Sequence, residues 1–120
     1  MSNHSVSGRR VLVVEDDYFL AMDLSSMLKD RGAEVLGPVA NVADALTCVR
    51  DGLDAAVLDF RLGEETSRPI AEELTRGGIP YIYLTGSPPE VGTSHGAAAV
   101  CAKPAADREV LDALLEVLKD

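Results

Sequence analysis

Short apolar runs along the chain alternate with longer segments in which apolar residues recur every three or four positions. The continuous run VLVV, Val11–Val14, is rich in β-branched residues and is typical of a strand buried on both faces. The segment 18–31 has the spacing of an amphipathic helix instead, and we expect its apolar stripe to face the core. The residues of that stripe are Leu20, Leu24, Met27 and Leu28.

The same alternation continues along the chain and predicts five strands and several helices. The predicted strands are Val11–Val14, Glu34–Val39, Ala55–Asp59, Tyr81–Thr85 and Ala98–Ala102. The predicted helices are residues 18–31, 42–51, 67–76 and 107–119. Such a pattern favours a three-layer α/β fold, with helices on both faces of a five-stranded parallel sheet. We expect the flavodoxin-like strand order 2-1-3-4-5.

The stretch between the fourth and fifth predicted strands contains the turn-rich sequence GSPPEVGTSHG. It has 17 residues between Thr85 and Lys103, and glycine and proline are frequent among them. Because few of these residues favour a regular helix, we expect the fourth helix of the fold to be short or missing.

The composition is that of one globular domain, with 120 residues, 47% hydrophobic and 26% charged. We expect a flexible tail at residues 1–8 and a folded domain over residues 9–120. The net charge of −9 argues against direct binding of nucleic acid, because phosphate contacts need clustered Lys and Arg. No apolar run approaches the ~20 residues that span a bilayer, and Cys48 and Cys101 lack a CxxC spacing. These features predict a cytoplasmic protein with two reduced, packed thiols.

Polar side chains follow four of the five predicted strands at the point where each strand ends. In chain order they are Glu15, Asp16, Asp17, Asp59, Thr85 and Lys103. The carboxyl ends of parallel strands lie along one edge of a sheet, and ligands bind there where the strand order reverses. For the expected order this point lies between the first and third strands. The sequence therefore predicts acids, a hydroxyl and an ammonium in one crevice.

The acids of this crevice need a positive partner. Two carboxylates about 4 Å apart repel by ~4 kcal/mol at an effective dielectric of about 20. Lys103 supplies one positive charge against Glu15, Asp16 and Asp59. Hard carboxylate oxygens favour Mg²⁺, above all when phosphate oxygens complete its shell. We therefore predict that these three acids hold Mg²⁺, while Asp17 either joins them or caps the first helix.

Asp59 is also a candidate nucleophile, because a carboxylate beside Mg²⁺ can attack phosphorus. Phosphoryl transfer requires mainly positioning and neutralisation of charge. We expect Mg²⁺ and the Lys103 ammonium to bind the phosphoryl oxygens, and the Thr85 hydroxyl to donate a hydrogen bond to one of them. The product would be a mixed anhydride on Asp59.

These residues and their surroundings resemble the receiver domain of two-component response regulators, which has a CheY-like fold. The resemblance extends from about Arg9 to Lys119. Its motifs are VLVVEDD with Glu15 and Asp16, VLDFRL with Asp59, LTG with Thr85, and AKP with Lys103 and Pro104. It implies phosphorylation of Asp59 by a sensor histidine kinase or a phosphotransfer protein, with Mg²⁺, and signalling to a downstream effector protein. Such a domain assists its own phosphorylation and dephosphorylation without being a conventional enzyme.

The resemblance implies two further features of the site. The backbone carbonyl of Arg61, two residues after the phosphoacceptor, is expected to join the Mg²⁺ ligands. The bond between Lys103 and Pro104 is expected to be cis, and X-Pro is the linkage at which the cis form costs little. For the Arg61 side chain two readings stay open: it acts on the phosphoryl group or on attacking water, or it is simply exposed.

The chain departs from the usual receiver pattern at several positions. Gly63 stands where typical members have proline, four residues after the phosphoacceptor. The segment PYIYLTGS, which includes Gly86 and Ser87, is similar to the PFxFATGY motif of a subgroup of alphaproteobacterial sensory pathways. Some of those pathways use histidine kinases of the HWE class. Val100 replaces the usual switch aromatic on the fifth strand, so we expect output through reordering of residues 86–96.

Three other functions remain as alternatives. A pseudo-receiver would keep the fold and bind a protein without being phosphorylated, but the intact set of site residues argues against it. A small aspartyl-phosphate phosphatase usually carries a second Asp two residues after the first, where this chain has Arg61. A nucleotide-binding domain would need a glycine-rich phosphate loop after the first strand, where this chain has VEDDYF.

The last predicted helix has two apolar sides. Leu111, Leu114, Leu115 and Leu118 form its main stripe. Val110, Ala113 and Val117 line a second side, which predicts either packing against a neighbouring helix or a weak homodimer. The chain is expected to act as a stand-alone receiver or as one domain of a longer protein.

Overall fold

The molecule is built on a parallel sheet whose strands match the apolar runs of the sequence. A computed structural model describes residues 5–86, 97–103 and 106–118. The main strands are β1 Arg10–Val14, β2 Glu34–Val39, β3 Ala55–Asp59, β6 Tyr81–Thr85 and β7 Ala99–Ala102. They lie in the order β2-β1-β3-β6-β7 and are parallel throughout. Counting these five strands alone, the order is 2-1-3-4-5, which confirms the predicted fold class.

The described part of the chain has four helices, three between strands and one after the last strand. They are α1 Tyr18–Asp30, α2 Val42–Arg50, α3 Arg68–Arg76 and α4 Asp107–Leu118. Side chains before the first two helices fix where these begin, because a capping oxygen satisfies an otherwise unpaired N–H group of the first turn. The Asp17 carboxylate accepts a hydrogen bond from Leu20 N, and the Asn41 side chain accepts one from Asp44 N. Asp17 is therefore a helix cap, the second of its two predicted roles.

The core consists of two apolar clusters, one on each face of the sheet. One cluster joins the sheet to α1 and α4 through residues such as Val13, Val57, Leu28 and Leu114. The other cluster joins the sheet to α2 and α3 through residues such as Leu12, Leu58, Ile70 and Tyr83. β1, β2, β3 and β6 contribute side chains to both clusters because successive side chains of a strand point to opposite faces of the sheet. A sheet covered on both faces explains why β1, β3 and β6 are almost continuously apolar.

The helix stripes face the core as expected, with one exception. Leu24, Met27 and Leu28 of α1 are buried, but Leu20 is 43% exposed, so the prediction for Leu20 is wrong. The buried stripe begins at Ala21 and continues through Leu24 and Leu28, which leaves Leu20 beside it on the first turn. The register of the stripe therefore differs slightly from the one inferred from leucine spacing alone.

The second apolar side of the last helix has an ordinary packing role. Val110 is buried, and Ala113 and Val117 pack partly buried against the same cluster. Cys101 lies buried in β7 and Cys48 half-buried in α2, and both are free thiols. The residues first considered as a homodimer face thus belong to the core.

A short hairpin between β3 and α3 has no counterpart among the predicted elements. Its strands are β4 Arg61–Leu62 and β5 Glu65–Thr66, which pair antiparallel. Strands of two residues are too short to show an alternation of apolar and polar positions, so the sequence gives no period for them. The hairpin stands directly after the carboxyl end of β3, beside the predicted crevice.

The packed part of the chain begins earlier than the boundary predicted at residue 9. Val6 is buried in the cluster under α1 and α4, and Gly8 N donates a hydrogen bond to Gly32 O at 2.8 Å. Three predictions concern residues outside the described ranges: the short or missing fourth helix, the role of Ser87, and the cis bond between Lys103 and Pro104. No helix in the described ranges is long and apolar enough to cross a membrane.

Candidate functional site

The carboxyl ends of β1 and β3 bring two acids together. The two strands are parallel neighbours, and Val14 pairs with Leu58. Each strand therefore reaches the sheet edge at the same level, where Glu15 and Asp59 follow these paired residues. Both acids are buried, with Glu15 3% and Asp59 7% exposed. Burial of two carboxylates side by side is unfavourable unless a cation accompanies them.

Lys103 is the cation that contacts both acids. Its Nζ lies 2.8 Å from Glu15 Oε1 and 3.3 Å from Asp59 Oδ2. The backbone places it there, since Lys103 N donates to Thr85 O at 2.7 Å just beyond the paired ends of β6 and β7. The predicted meeting of the first, third and fifth strand ends is therefore present in the structure.

Asp16 stands at the solvent side of the same site. It is exposed, and its Oδ2 accepts a hydrogen bond from Gly63 N at 2.9 Å. One carboxylate oxygen from each of Glu15, Asp16 and Asp59 lies within 4.8 Å of the others. The buried pair thus opens to solvent through Asp16.

Glu15 is held at both of its carboxylate oxygens. Oε1 pairs with Lys103, and Oε2 accepts a hydrogen bond from Asp17 N at 3.1 Å. Because Asp17 also caps α1, the acidic turn between β1 and α1 has little freedom to move Glu15 away from Asp59.

The charges of the site leave Asp59 reluctant to ionise. Burial, followed by the hydrogen bond to Glu15 and the charge of Glu15, raises the pKa of Asp59 to about 7, although Lys103 acts in the opposite direction. Burial lowers the pKa of Lys103, but Glu15 and then Asp59 outweigh that effect, so the net direction is upward. One ammonium therefore does not offset the acids it contacts.

This donor set fits a small divalent cation. The converging donors are three carboxylates, which are hard oxygen ligands of the kind that Mg²⁺ and Ca²⁺ prefer. A further positive charge beside Asp59 would favour its ionised form, which Lys103 alone does not secure. The residues that would hold such a cation are Glu15, Asp16 and Asp59.

Thr85 and Arg61 occupy different positions around the acids. Thr85 ends β6 and is buried, one residue beyond Leu84, which pairs with Asp59. Arg61 is exposed, and its backbone belongs to the hairpin strand β4. Gly86 follows Thr85 and is exposed, with no heavy atom within 4 Å of a Cβ built on it.

Aromatic packing anchors the chain immediately after Asp59. Phe60 is buried, its ring meets that of Tyr83 edge-on at 5.5 Å, and the Arg68 guanidinium lies 5.8 Å from its centroid. Tyr81 meets Tyr83 in the same way at 5.6 Å, so three rings fill this part of the core. Burial, followed by the charge of Tyr81, raises the pKa of Tyr83 to about 12. Tyr83 therefore stays neutral.

Two contacts of the hairpin beside the site escaped the sequence analysis. Gly63 supplies a backbone N–H to Asp16, and Glu65 accepts a hydrogen bond from Val42 N at 3.3 Å. A backbone donor leaves no signature in residue chemistry. The replacement of the usual proline by Gly63 was the one signal available, since proline has no N–H to donate.

Apolar side chains stand exposed next to the acids, on the first turns of α1. Tyr18, Phe19 and Met22 are 69%, 77% and 41% exposed, and Leu20 lies beside them. The rings of Tyr18 and Phe19 pack edge-on against each other at 5.6 Å. Large apolar side chains grouped in this way beside a polar crevice are typical of a contact surface for another protein.

Known proteins with similar sequences include a sensory transduction protein and a transcriptional regulatory protein. No protein-family model matches the chain. Sensory transduction protein RegX3 of Mycobacterium bovis is 30% identical over 114 residues, which cover 91% of this chain and 50% of RegX3. Transcriptional regulatory protein PdtaR of Mycobacterium tuberculosis is 29% identical over 79 residues, which cover 64% of this chain and 38% of PdtaR. The chain thus spans half or less of the length of these curated relatives.

Solved structures give matches over nearly the whole chain. SdrG of Sphingomonas melonis Fr1 has a TM-score of 0.76 and 37% identity, covering 95% of this chain and 98% of SdrG. Response regulator PhyR of Brucella abortus has a TM-score of 0.83 at 22% identity, covering 96% of this chain and 49% of PhyR. A CheY-like receiver domain protein of Methanospirillum hungatei JF-1 has a TM-score of 0.82 at 24% identity, covering 93% of this chain and 94% of that protein. The last two likenesses concern the fold alone.

Proposed function

We propose that this chain, which belongs to the receiver domain family of two-component response regulators, accepts a phosphoryl group on Asp59. The observation that carries this proposal is the position of Asp59 at the end of β3. There it lies beside two further acids and 3.3 Å from the Lys103 ammonium. A structural carboxylate would be more stable paired with a cation in solvent than buried among like charges.

The donor would be a phosphohistidine of a sensor histidine kinase or of a phosphotransfer protein. An ionised oxygen of Asp59 would form the new P–O bond while the P–N bond breaks, and the electron pair of that bond returns to the imidazole nitrogen. The Lys103 ammonium lies where it can contact a phosphoryl oxygen. Thr85 is the last residue of the neighbouring strand β6, and its hydroxyl would donate a hydrogen bond to another phosphoryl oxygen. Positioning and charge neutralisation of this kind are what phosphoryl transfer requires.

Mg²⁺ is the cofactor that we propose for the acidic site. Glu15, Asp16 and Asp59 would hold it, with the backbone carbonyl of Arg61 as a further ligand. When bound, Mg²⁺ supplies positive charge that offsets the negative charge of the transferring phosphoryl group.

The exposed group on α1 suggests where the phosphodonor docks. Tyr18, Phe19 and Met22 stand beside the acids, so a partner that covers them would bring its phosphohistidine to the mouth of the site. The partial match of PYIYLTGS to the PFxFATGY motif supports a kinase of the HWE class. We propose that the phosphorylated domain then acts on an effector protein through a change of shape, rather than as a conventional enzyme or a nucleic-acid-binding domain.

Labelling with acetyl phosphate and Mg²⁺ tests the proposal. We expect the wild-type protein to gain the mass of one phosphoryl group, in a form that acid or hydroxylamine removes. Asp59→Asn should abolish the label, and Asp54→Asn, an acid near the opposite edge of the sheet, should retain it. Release of phosphate without a label on the protein would point to a phosphatase. Neither label nor release would point to a pseudo-receiver.

A further inference from the structure

The hairpin of β4 and β5 is fastened to the site it stands beside. Its base is closed by a hydrogen bond from Ser67 N to Phe60 O at 2.8 Å. Leu62, on the first strand of the hairpin, is buried in the cluster under α2 and α3. The base of the hairpin is therefore fixed to the core, while its turn projects toward Asp16.

The turn of the hairpin depends on a glycine conformation. Gly63 has φ +65°, in the left-handed region that side chains with a Cβ rarely adopt. A Cβ built on Gly63 meets no heavy atom within 4 Å, so space does not exclude a larger residue. The demand for glycine at this position comes from the backbone angle alone. That angle is the one at which Gly63 N donates to Asp16 Oδ2 at 2.9 Å.

A second hydrogen bond fastens the other strand of the hairpin. Glu65 Oε1 accepts from Val42 N at 3.3 Å, at the first residue of α2. A carboxylate near a helix N-terminus is favoured by the helix dipole as well as by the hydrogen bond. The two contacts prevent the hairpin from tilting away from the sheet, and so hold Gly63 at Asp16.

A carboxylate that accepts one hydrogen bond still has lone pairs for another ligand. The Gly63 N–H engages Oδ2 of Asp16, which leaves Oδ1 able to bind a cation. Asp16 is the exposed member of the acidic group, so this contact is what restricts its rotamers. Fixing a ligand through a hydrogen bond to its second atom commonly changes metal affinity by about tenfold or more.

We propose that the hairpin is a positioning element for the divalent cation, with Gly63 fixing Asp16 and Glu65 fixing the hairpin. This inference rests on the proposed function, since it concerns the cation that the phosphoacceptor site would use. The geometry requires a residue other than proline at this position, because a proline in place of Gly63 could neither donate the hydrogen bond nor take a positive φ. By reciprocity, a cation held by Asp16 should also tighten the Gly63 contact.

A substitution series at Gly63 tests the proposal through Mg²⁺ affinity, measured by calorimetry or NMR titration. Gly63→Val places a β-branched residue at φ +65° and should weaken Mg²⁺ binding about tenfold. Gly63→Asn tolerates that backbone region better and should stay within about threefold of wild type. The matched control is Gly52→Val, since Gly52 has φ +91° and equally open surroundings outside the site. It should lose stability similarly and keep the wild-type affinity.

Amide hydrogen exchange in the wild-type protein gives a readout that no misfolded variant can obscure. Added Mg²⁺ should slow exchange of the Gly63 amide more than that of the Gly52 amide. Glu65→Ala is a milder change than Gly63→Val and should weaken Mg²⁺ binding about threefold. Glu65→Gln keeps an oxygen that can accept the hydrogen bond from Val42 N, and should bind Mg²⁺ as the wild type does.

The outcomes separate this inference from the function beneath it. If wild-type protein binds no Mg²⁺, the proposed cofactor fails and the inference fails with it. If wild type binds Mg²⁺ but Gly63→Val and Gly52→Val bind equally well, the hairpin has no positioning role and the phosphoacceptor site stands. Tighter binding by Gly63→Val would mean that the hairpin competes with the cation, which also overturns the inference.

Discussion

The two edges of the sheet carry similar charges in different surroundings. At the amino edge, Arg10 contacts Glu34 at 2.6 Å and donates its backbone N–H to Asp54 Oδ2 at 2.8 Å. At the carboxyl edge, Lys103 contacts Glu15 and Asp59. Each edge thus has one basic residue in contact with two acids, although Arg10 reaches Asp54 only through its backbone N–H. The side chains of Arg10 and Glu34 are 35% and 60% exposed, whereas those of Glu15 and Asp59 are 2% and 8% exposed.

The difference teaches that burial of the charged groups distinguishes the candidate site from the amino edge. An exposed pair gains little and costs little, because water screens both the attraction and the desolvation. A buried group of like charges raises the free energy of the folded state unless further positive charge is present. A bound cation would therefore stabilise the carboxyl edge more than the amino edge, which is why we place the proposed site at the carboxyl edge.

The largest effect should follow from removing the buried cation. Lys103→Met leaves Glu15 and Asp59 buried together without a partner, so we expect a loss of ~3 kcal/mol in the free energy of unfolding near pH 8. Urea unfolding in the presence of EDTA measures this loss, and Lys29→Met, at an exposed position of α1, is the control. A loss no larger than that of the control would show that the buried contacts of Lys103 contribute no more than an exposed lysine does.

A smaller effect of opposite sign should follow from replacing the Asp59 carboxylate with a neutral side chain in metal-free protein. Because the pKa of Asp59 is raised to about 7, the folded state holds a proton that the unfolded state releases from about pH 4 upward. The free energy of unfolding of the wild type should therefore fall as pH rises from about 4 to about 7. Above about pH 7 the contribution of Asp59 should stay constant.

Asp59→Asn removes this titration and should raise the free energy of unfolding by ~2 kcal/mol near pH 8, with no gain near pH 3.5. Asp23→Asn, on the exposed side of α1, controls for net charge. Urea unfolding of both variants across this pH range is the measurement. An equal gain from both variants would assign the effect to overall repulsion among the acids.

The exposed acid of the site should separate binding from stability. Asp16→Asn keeps an oxygen that can accept the Gly63 hydrogen bond, so metal-free stability should change by less than ~0.5 kcal/mol. The loss of one carboxylate ligand should nevertheless weaken Mg²⁺ binding about tenfold or more. Calorimetric titration measures the affinity, and wild-type affinity in Asp16→Asn would remove Asp16 from the proposed ligand set.

The smallest effect is expected at the amino edge. Glu34→Gln breaks the exposed ion pair with Arg10 and should cost at most ~0.5 kcal/mol. Added salt should shrink even this difference. Urea unfolding at low and high salt checks both statements, and a cost near that of Lys103→Met would contradict the distinction drawn between the edges.

The sequence predicted the long elements well because their patterns are periodic and their ends are marked. β2, β3 and β6 have the predicted bounds, and α3 ends at the predicted residue, Arg76. The meeting of Glu15, Asp59 and Lys103 was also predictable, since parallel strands of one sheet end at one edge. These predictions needed only topology and residue type.

What sequence reasoning missed depends on backbone geometry over a few residues. The hairpin strands have two residues each, and the Gly63 contact with Asp16 uses a backbone N–H, which every residue except proline has. Leu20 was misplaced because a helical stripe is wide, and one residue at its margin can lie on either side. Burial of Val6 follows from the chain doubling back at Gly8, which a polar opening segment does not reveal.

The packing of Phe60 limits how the molecule can respond to modification. Leu58 and Phe60 lie on either side of Asp59 in sequence and are both locked into the layer beneath α2 and α3. The backbone of Asp59 is thus held in place by a buried side chain on each side of it. A newly attached group therefore cannot be accommodated by sliding the strand. If Asp59 is phosphorylated as proposed, we expect the conformational change in the segments next to this strand, and not in the strand itself.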